Sequence, residues 1–133
     1  MKPTHGQVKQ KAIELQEFLS DKLAGTFPHR DAKKFAARFG EEGDRFIAAM
    51  EVFHSNIAGY CNSGSKWLQA SEQRIAECRR DVGKSFFDHY PALRKFEAHL
   101  PEFPDLVEVM TLYEVARKRL IALMATLEQV KKR

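Results

Sequence analysis

Glu51 and His54 stand three residues apart in a stretch with helical periodicity, which puts a carboxylate and an imidazole one turn apart on one helical face. Di-metal helical bundles use two such Glu-x-x-His pairs, plus one glutamate from each of two further helices, to hold their ions. This chain has a single copy. Glu51 follows Met50 and His54 follows Phe53, both in the apolar phase, so the pair belongs at the edge of a buried stripe and reads first as a boundary pair. The alternative is a metal- or cofactor-dependent enzyme using Glu51, His54 and histidines from other segments. No two of His5, His29, His54, His89 and His99 are three or four residues apart. His29, His89 and His99 lie near expected chain reversals, where helix ends gather.

Other catalytic patterns are weaker. Gly83-Lys84-Ser85 has Cys78 where a phosphate-cradling loop requires its upstream glycine, and there is no Gly-x-Gly-x-x-Gly. Ser63 and Ser65 fit turn and cap chemistry better than nucleophilic catalysis, which needs a base beside the hydroxyl. His54 to Gly59 resembles the phospho-accepting stretch of histidine-phosphotransfer domains in its histidine and nearby glycine. That family places a basic residue third after the histidine and glycine fourth, where this chain has Ile57 and Ala58, so the likeness is not adopted. Cys61 and Cys78 provide at most one bridge or half a thiolate zinc site and are read as reduced. No cofactor is expected.

Arg30, Lys33, Lys34 and Arg38 concentrate four positive charges within nine residues. Positions 30, 34 and 38 recur one helical turn apart, so three cations project from one face while Phe35 and Phe39 turn inward. Such a face attracts phosphates, chiefly through salt-sensitive counterion release. Arg79, Arg80, Lys84 and Arg117-Lys118-Arg119 add to it, but Glu41, Glu42, Asp44, Glu72, Glu77 and Asp81 are interspersed on the same helices. The net charge, 22 Lys and Arg against 18 Asp and Glu, is +4. That is modest for a dedicated nucleic-acid binder, and no helix-turn-helix or zinc-finger signature accompanies it.

The elements that must position these residues are helical. The 133 residues suit one domain, residues 1–133, and the ten phenylalanines argue against wholesale disorder. No apolar run approaches the roughly 20 residues needed to cross a bilayer, so no membrane insertion is expected. The start of the chain lacks the apolar stretch of about 7 to 15 residues found in a secretory signal, so a cytoplasmic protein is expected. All five prolines fall outside residues 29–90 and 105–133, leaving both stretches free to be helical.

Thr4 and Gln7 have capping-box spacing, and Val8, Ala12, Leu15, Leu19 and Leu23 form one stripe up to a stop at Gly25. From Asp31, Phe35, Phe39, Phe46, Met50, Phe53, Ile57 and Tyr60 keep a single phase through Gly40 and Gly43. This predicts one helix over 31–61, bent at those glycines, in preference to two. A reversal at 62–65, with Ser65 as the cap, predicts a third helix through Trp67, Ile75, Cys78, Val82 and Phe86 towards Tyr90. Cys78 then lies roughly 20 Å down that helix from the tip at Cys61. Residues 91–99 add a short helix. In the last, Leu106, Val109, Tyr113, Ala116, Leu120, Leu123, Leu127 and Val130 repeat at alternating steps of three and four.

The expected fold is all-α: an antiparallel up-down four-helix bundle with long helices and a short extra helix before the last one. The function expected from it is a non-enzymatic cytoplasmic interaction protein: an adaptor, small regulator or specialised chaperone contacting a protein partner. The last seam can pack inside its own bundle or against another chain, including a second copy in a homodimer. A nucleic-acid-associated protein using Arg30, Lys33, Lys34 and Arg38 is the first alternative, and the Glu51/His54 enzyme the second.

Overall fold

A computed structural model describes residues 4–18 and 27–131. All regular structure among them is helical: α1 (His5–Phe18), α2 (His29–Phe39), α3 (Glu41–Cys61), a 3-10 segment (Gly64–Gln69), α4 (Glu72–Val82), α5 (Phe86–His89), a second 3-10 segment (Pro91–Glu102) and α6 (Pro104–Lys131). Leu19, Leu23 and the expected stop at Gly25 lie outside the described residues.

The capping box at the start of α1 forms as its spacing predicts. The Thr4 amide donates to Gln7 Oε1 at 2.9 Å and the Gln7 amide donates to Thr4 Oγ1 at 3.2 Å, so each satisfies an amide that the first turn leaves unpaired. Val8, Ala12 and Leu15 are buried.

The single helix expected over 31–61 is two. Gly40 sits at φ 65°, ψ −140°, outside the range a helix tolerates, and α3 restarts at Glu41. Constant phase concealed the break because folding α2 back over α3 serves the same apolar residues. In a straight helix Phe35 and Phe46, eleven residues apart, would be separated by about 16 Å along the axis. Their ring centroids are 4.7 Å apart. Phe96 and Phe103 complete this aromatic cluster at 5.3 and 5.1 Å from Phe35. The close crossing also needs Gly43, where a Cβ would stand 3.0 Å from both Ala36 Cα and Phe35 O.

The expected third helix is also divided. Residues 64–69 form a 3-10 turn on which α1 packs, anchored by Trp67, whose Nε1 donates to Tyr60 O at 2.9 Å. Ser65 makes no capping hydrogen bond among the described residues. Ser71 Oγ instead accepts from the Arg74 amide at 3.1 Å to start α4, and Ser85 with Asp88 forms a reciprocal capping box that starts α5. Consequently Cys78 is not remote from Cys61: the two thiols are close enough for charge on Cys61 to raise the pKa of Cys78. Both cysteines are unbridged and buried.

The short helix expected at 91–99 is a 3-10 segment that runs on to Glu102. α6 packs against α1, α2, α3, α4 and this segment. Its seam from Leu106 to Leu127 is buried inside the chain, with Met124, while Val107 and Ile121 face outwards. The first turn of α6 is held by a remote cap, since the buried Asp31 carboxylate accepts from the Asp105 amide at 2.9 Å. Of the expected 20-to-30-residue helices only α3, with 21 residues, and α6, with 28, reach that length among the described residues. No helix among the described residues is long and apolar enough to cross a membrane.

Candidate functional site

A concavity of about 430 Å³ lies between α6 and the chain from Ser85 to Pro101. Local structure explains its walls. Ser85 and Asp88 fix the start of α5, which drives Phe86 and Phe87 into the core, and the two Ser85 hydrogen bonds hold the Asp88 carboxyl below its ordinary pKa. Phe53 joins the floor, with ring centroids 5.6 Å from Phe86 and 5.2 Å from Tyr113, both edge-on. Val107, Met110, Thr111 and Glu114 form the α6 wall. Val107 is 38% exposed although apolar.

Three charged residues, Arg94, Glu97 and Glu114, line the concavity. Arg94 lies 5.6 Å over the Phe87 ring and contacts Asp88 at 3.5 Å. Glu114 is bonded to Arg117, whose Nε donates to Val82 O at 2.9 Å. Among the described residues the Glu97 side chain makes no ion pair or hydrogen bond. Beneath the floor the Tyr113 hydroxyl and His54 Nδ1 share a 2.7 Å hydrogen bond, and burial keeps the Tyr113 phenol protonated well above the usual range.

A second, smaller concavity of about 200 Å³ shares Phe53 with the first and is lined also by Asn56, Tyr60, Asp81, His89 and Tyr90. The Tyr60 hydroxyl donates to Asp81 Oδ2, and His89 Nε2 donates to the Asp81 main-chain oxygen at 2.7 Å.

Most residues singled out by sequence do not assemble into a site. Arg30, Lys33 and Lys34 are exposed on α2, but Arg38 is paired with Glu102 at 2.6 Å and lies 5.2 Å over Phe39. That bond is the main reason the Glu102 carboxyl titrates below its ordinary value. Glu51 is exposed while half-buried His54 faces Tyr113 and Phe27, so the two do not share a ligand position. The other described histidines scatter: His29 sits on Phe27, His89 on the Asp81 oxygen, and His99 on Phe39 and Glu102. No group of three or more His, Cys, Asp or Glu side chains able to hold a metal ion occurs among the described residues. Arg79 and Arg119 are also engaged, with Glu128 and the Phe18 ring. Sequence reasoning missed Glu97, Thr111 and the pairing of Tyr60 with Asp81. The one local signal available was the Ser85-x-x-Asp88 box.

Comparison with known proteins gives a family. The model of the YxiJ-like proteins matches residues 13–121. The chain belongs to the YxiJ-like family. The matched stretch contains every residue that lines either concavity, so both lie within the family's common region. No curated protein and no solved structure matches the chain.

The buried acids that are not carboxylates make a pH prediction. Burial pushes the Cys61 and Cys78 thiols from 9.0 up to about 12, and Tyr60 and Tyr113 move in the same direction, chiefly through burial. The folded chain therefore keeps protons that the unfolded chain releases above pH 9.0, and stability falls as pH rises from there towards about 12. Thermal melts recorded from neutral to alkaline pH should show a declining midpoint. A thiol reagent at neutral pH should modify the cysteines only at the rate of unfolding, and rapid labelling of the folded chain would contradict this burial.

Proposed function

We propose that this chain is a non-enzymatic cytoplasmic interaction protein that holds a segment of a protein partner in the groove between Ser85–Pro101 and α6. The fold acts as a helical-bundle platform with α1, α3 and α4 packed along α6. The observation carrying this reading is the composition of the groove: an aromatic floor, outward-facing Val107 on one wall, and the Glu97 carboxylate, which makes no ion pair or hydrogen bond among the described residues. Apolar burial supplies affinity in such grooves and rim charge supplies orientation. The matching occupant is an amphipathic segment with an apolar anchor followed by a basic side chain.

Selection of displayed peptides on the full chain tests this. Enriched peptides should pair large apolar residues with Lys or Arg. Val107→Asp should weaken binding by about tenfold or more, because a charge is placed against the apolar anchor. Glu97→Lys should shift selection towards acidic peptides, with an effect of up to about fivefold, the range of an exposed ion pair. Peptides without basic preference, or binding unchanged by Val107→Asp, would overturn the reading. Enrichment of a peptide from the chain itself would make the partner a second copy, as in a homodimer.

A nucleic-acid reading keeps one supporting observation, the exposure of Arg30, Lys33 and Lys34 on α2. It requires salt-dependent retention of duplex DNA or RNA that declines when all three are changed to glutamine. Retention that ignores either salt or the three substitutions removes it.

A further inference from the structure

The concavity beside Tyr60 is built differently from the groove. His89 must donate through Nε2, since its 2.7 Å partner is the carbonyl oxygen of Asp81. In the neutral ring that leaves Nδ1 as an acceptor. The Tyr60 hydroxyl occupies Asp81 Oδ2 and fixes the carboxylate. Among the described residues Asp81 Oδ1 has only a 3.5 Å contact from Arg80, whose side chain is 74% exposed, so this oxygen retains accepting capacity. Asn56 also lines the concavity, and Phe53, Tyr60 and Tyr90 supply ring surface.

A carboxylate oxygen with accepting capacity beside aromatic rings suits a flat cation that presents several N–H donors in one plane. A guanidinium group has that form: it forks onto a carboxylate and stacks on rings where an ammonium would do neither as well. The protein already uses Tyr60 in this way, with the Arg74 guanidinium 4.7 Å from its centroid and 5.6 Å from that of Trp67. About 200 Å³ accommodates a small alkylguanidine.

We infer that this pocket binds a guanidinium group, with Asp81 Oδ1 as its principal acceptor and the Tyr60 and Tyr90 rings as its walls. Arg74 and Arg80 place positive charge nearby, so directed hydrogen bonds and ring contact provide the binding and affinity falls in the millimolar range. The inference is independent of the groove and its partner.

Trp67 is the single tryptophan of the chain and stacks on Tyr60 with centroids 6.2 Å apart, so its emission reports on the pocket. Methylguanidine titrated into the full chain at non-denaturing concentration should change that emission saturably. Methylurea, of the same shape without the charge, should bind about tenfold or more weakly, the ratio expected from loss of a charge-assisted hydrogen bond. Asp81→Asn keeps an acceptor for the Tyr60 hydroxyl and removes the charge, and should weaken methylguanidine by about tenfold with helical circular dichroism unchanged. Equal binding of methylguanidine and methylurea, a linear response without saturation, or an unaffected Asp81→Asn chain would overturn the inference. If Asp81→Asn does not fold, the two ligands compared on the unaltered chain decide. A blocked arginine amide binding more tightly than methylguanidine identifies the side chain of a peptide as the source of the group, and the reverse order a free guanidine.

Discussion

Replacing Phe35 with alanine is expected to cost about 3–5 kcal/mol of folding stability, at the upper end for a core aromatic. Phe35 is fully buried and its ring meets those of Phe39, Phe46, Phe96 and Phe103, all within 5.3 Å between centroids. These rings come from α2, α3, the second 3-10 segment and Phe103, the residue that links that segment to α6. The cavity cannot close without moving four backbones, so little of the lost contact is recovered. A domain of this size has only about 5–15 kcal/mol in total, which makes the loss a large fraction of it. Denaturant unfolding with unchanged slope measures it, and a cost below about 1 kcal/mol would mean that the cluster does not form. Because Phe96 belongs to the segment that supplies one groove wall, the same substitution should loosen the groove and weaken any bound peptide.

Gly40→Ala gives opposite signs for the two possible backbones. At φ 65°, ψ −140° an alanine is strained whatever the space around it, and nothing lies within 4 Å of an added Cβ. The cost is therefore backbone strain, about 1–3 kcal/mol. Were residues 31–61 one continuous helix, the same change would stabilise the protein by about 1 kcal/mol through helix propensity. Urea unfolding thus reads the break directly, and a stabilised Gly40→Ala would refute it. Gly43→Ala is a separate case: its backbone is helical, but the new Cβ meets Ala36 Cα and Phe35 O at 3.0 Å, so destabilisation there comes from the α2–α3 crossing.

The contrast between these glycines shows where reading the sequence stops. Periodicity located Phe35, Phe39, Phe46 and Phe53 on one apolar face, and that face is the buried one. It did not locate the break, because a helix folding back on itself can bury the same face that a straight helix would. The third segment failed for a related reason. Trp67 and Ile75 keep helical phase, yet the Trp67 side chain bonds Tyr60 O and holds residues 64–69 in a 3-10 turn. The caps at Ser71 and Ser85 were present in the sequence but competed with Ser63 and Ser65, and only packing chose between them.

The candidate sites were less legible than the fold. Arg38 read as part of a phosphate-attracting face until Glu102, 64 residues away, was brought against it. His54 read first as a boundary residue with metal ligation as the alternative, and nothing local to it announced the hydrogen bond its Nδ1 shares with Tyr113, 59 residues on. Asp31 read as the start of a basic helix and is the remote cap of α6.

By itself the sequence determined that this protein is built of helices, that Thr4 starts the first, that the Leu106–Leu127 seam is buried, and that all the prolines stand outside the long periodic stretches. Those properties depend on residues three or four apart, whose relations any helix fixes. The tertiary structure alone decided how α2 turns on Gly40, which cations are neutralised, and that Glu97, Val107 and Phe86 share one groove while Tyr60, Asp81 and His89 share another. Such meetings join residues far apart in the chain, and they depend on the angles at which helices cross, which are set by the fit of side chains across the whole core.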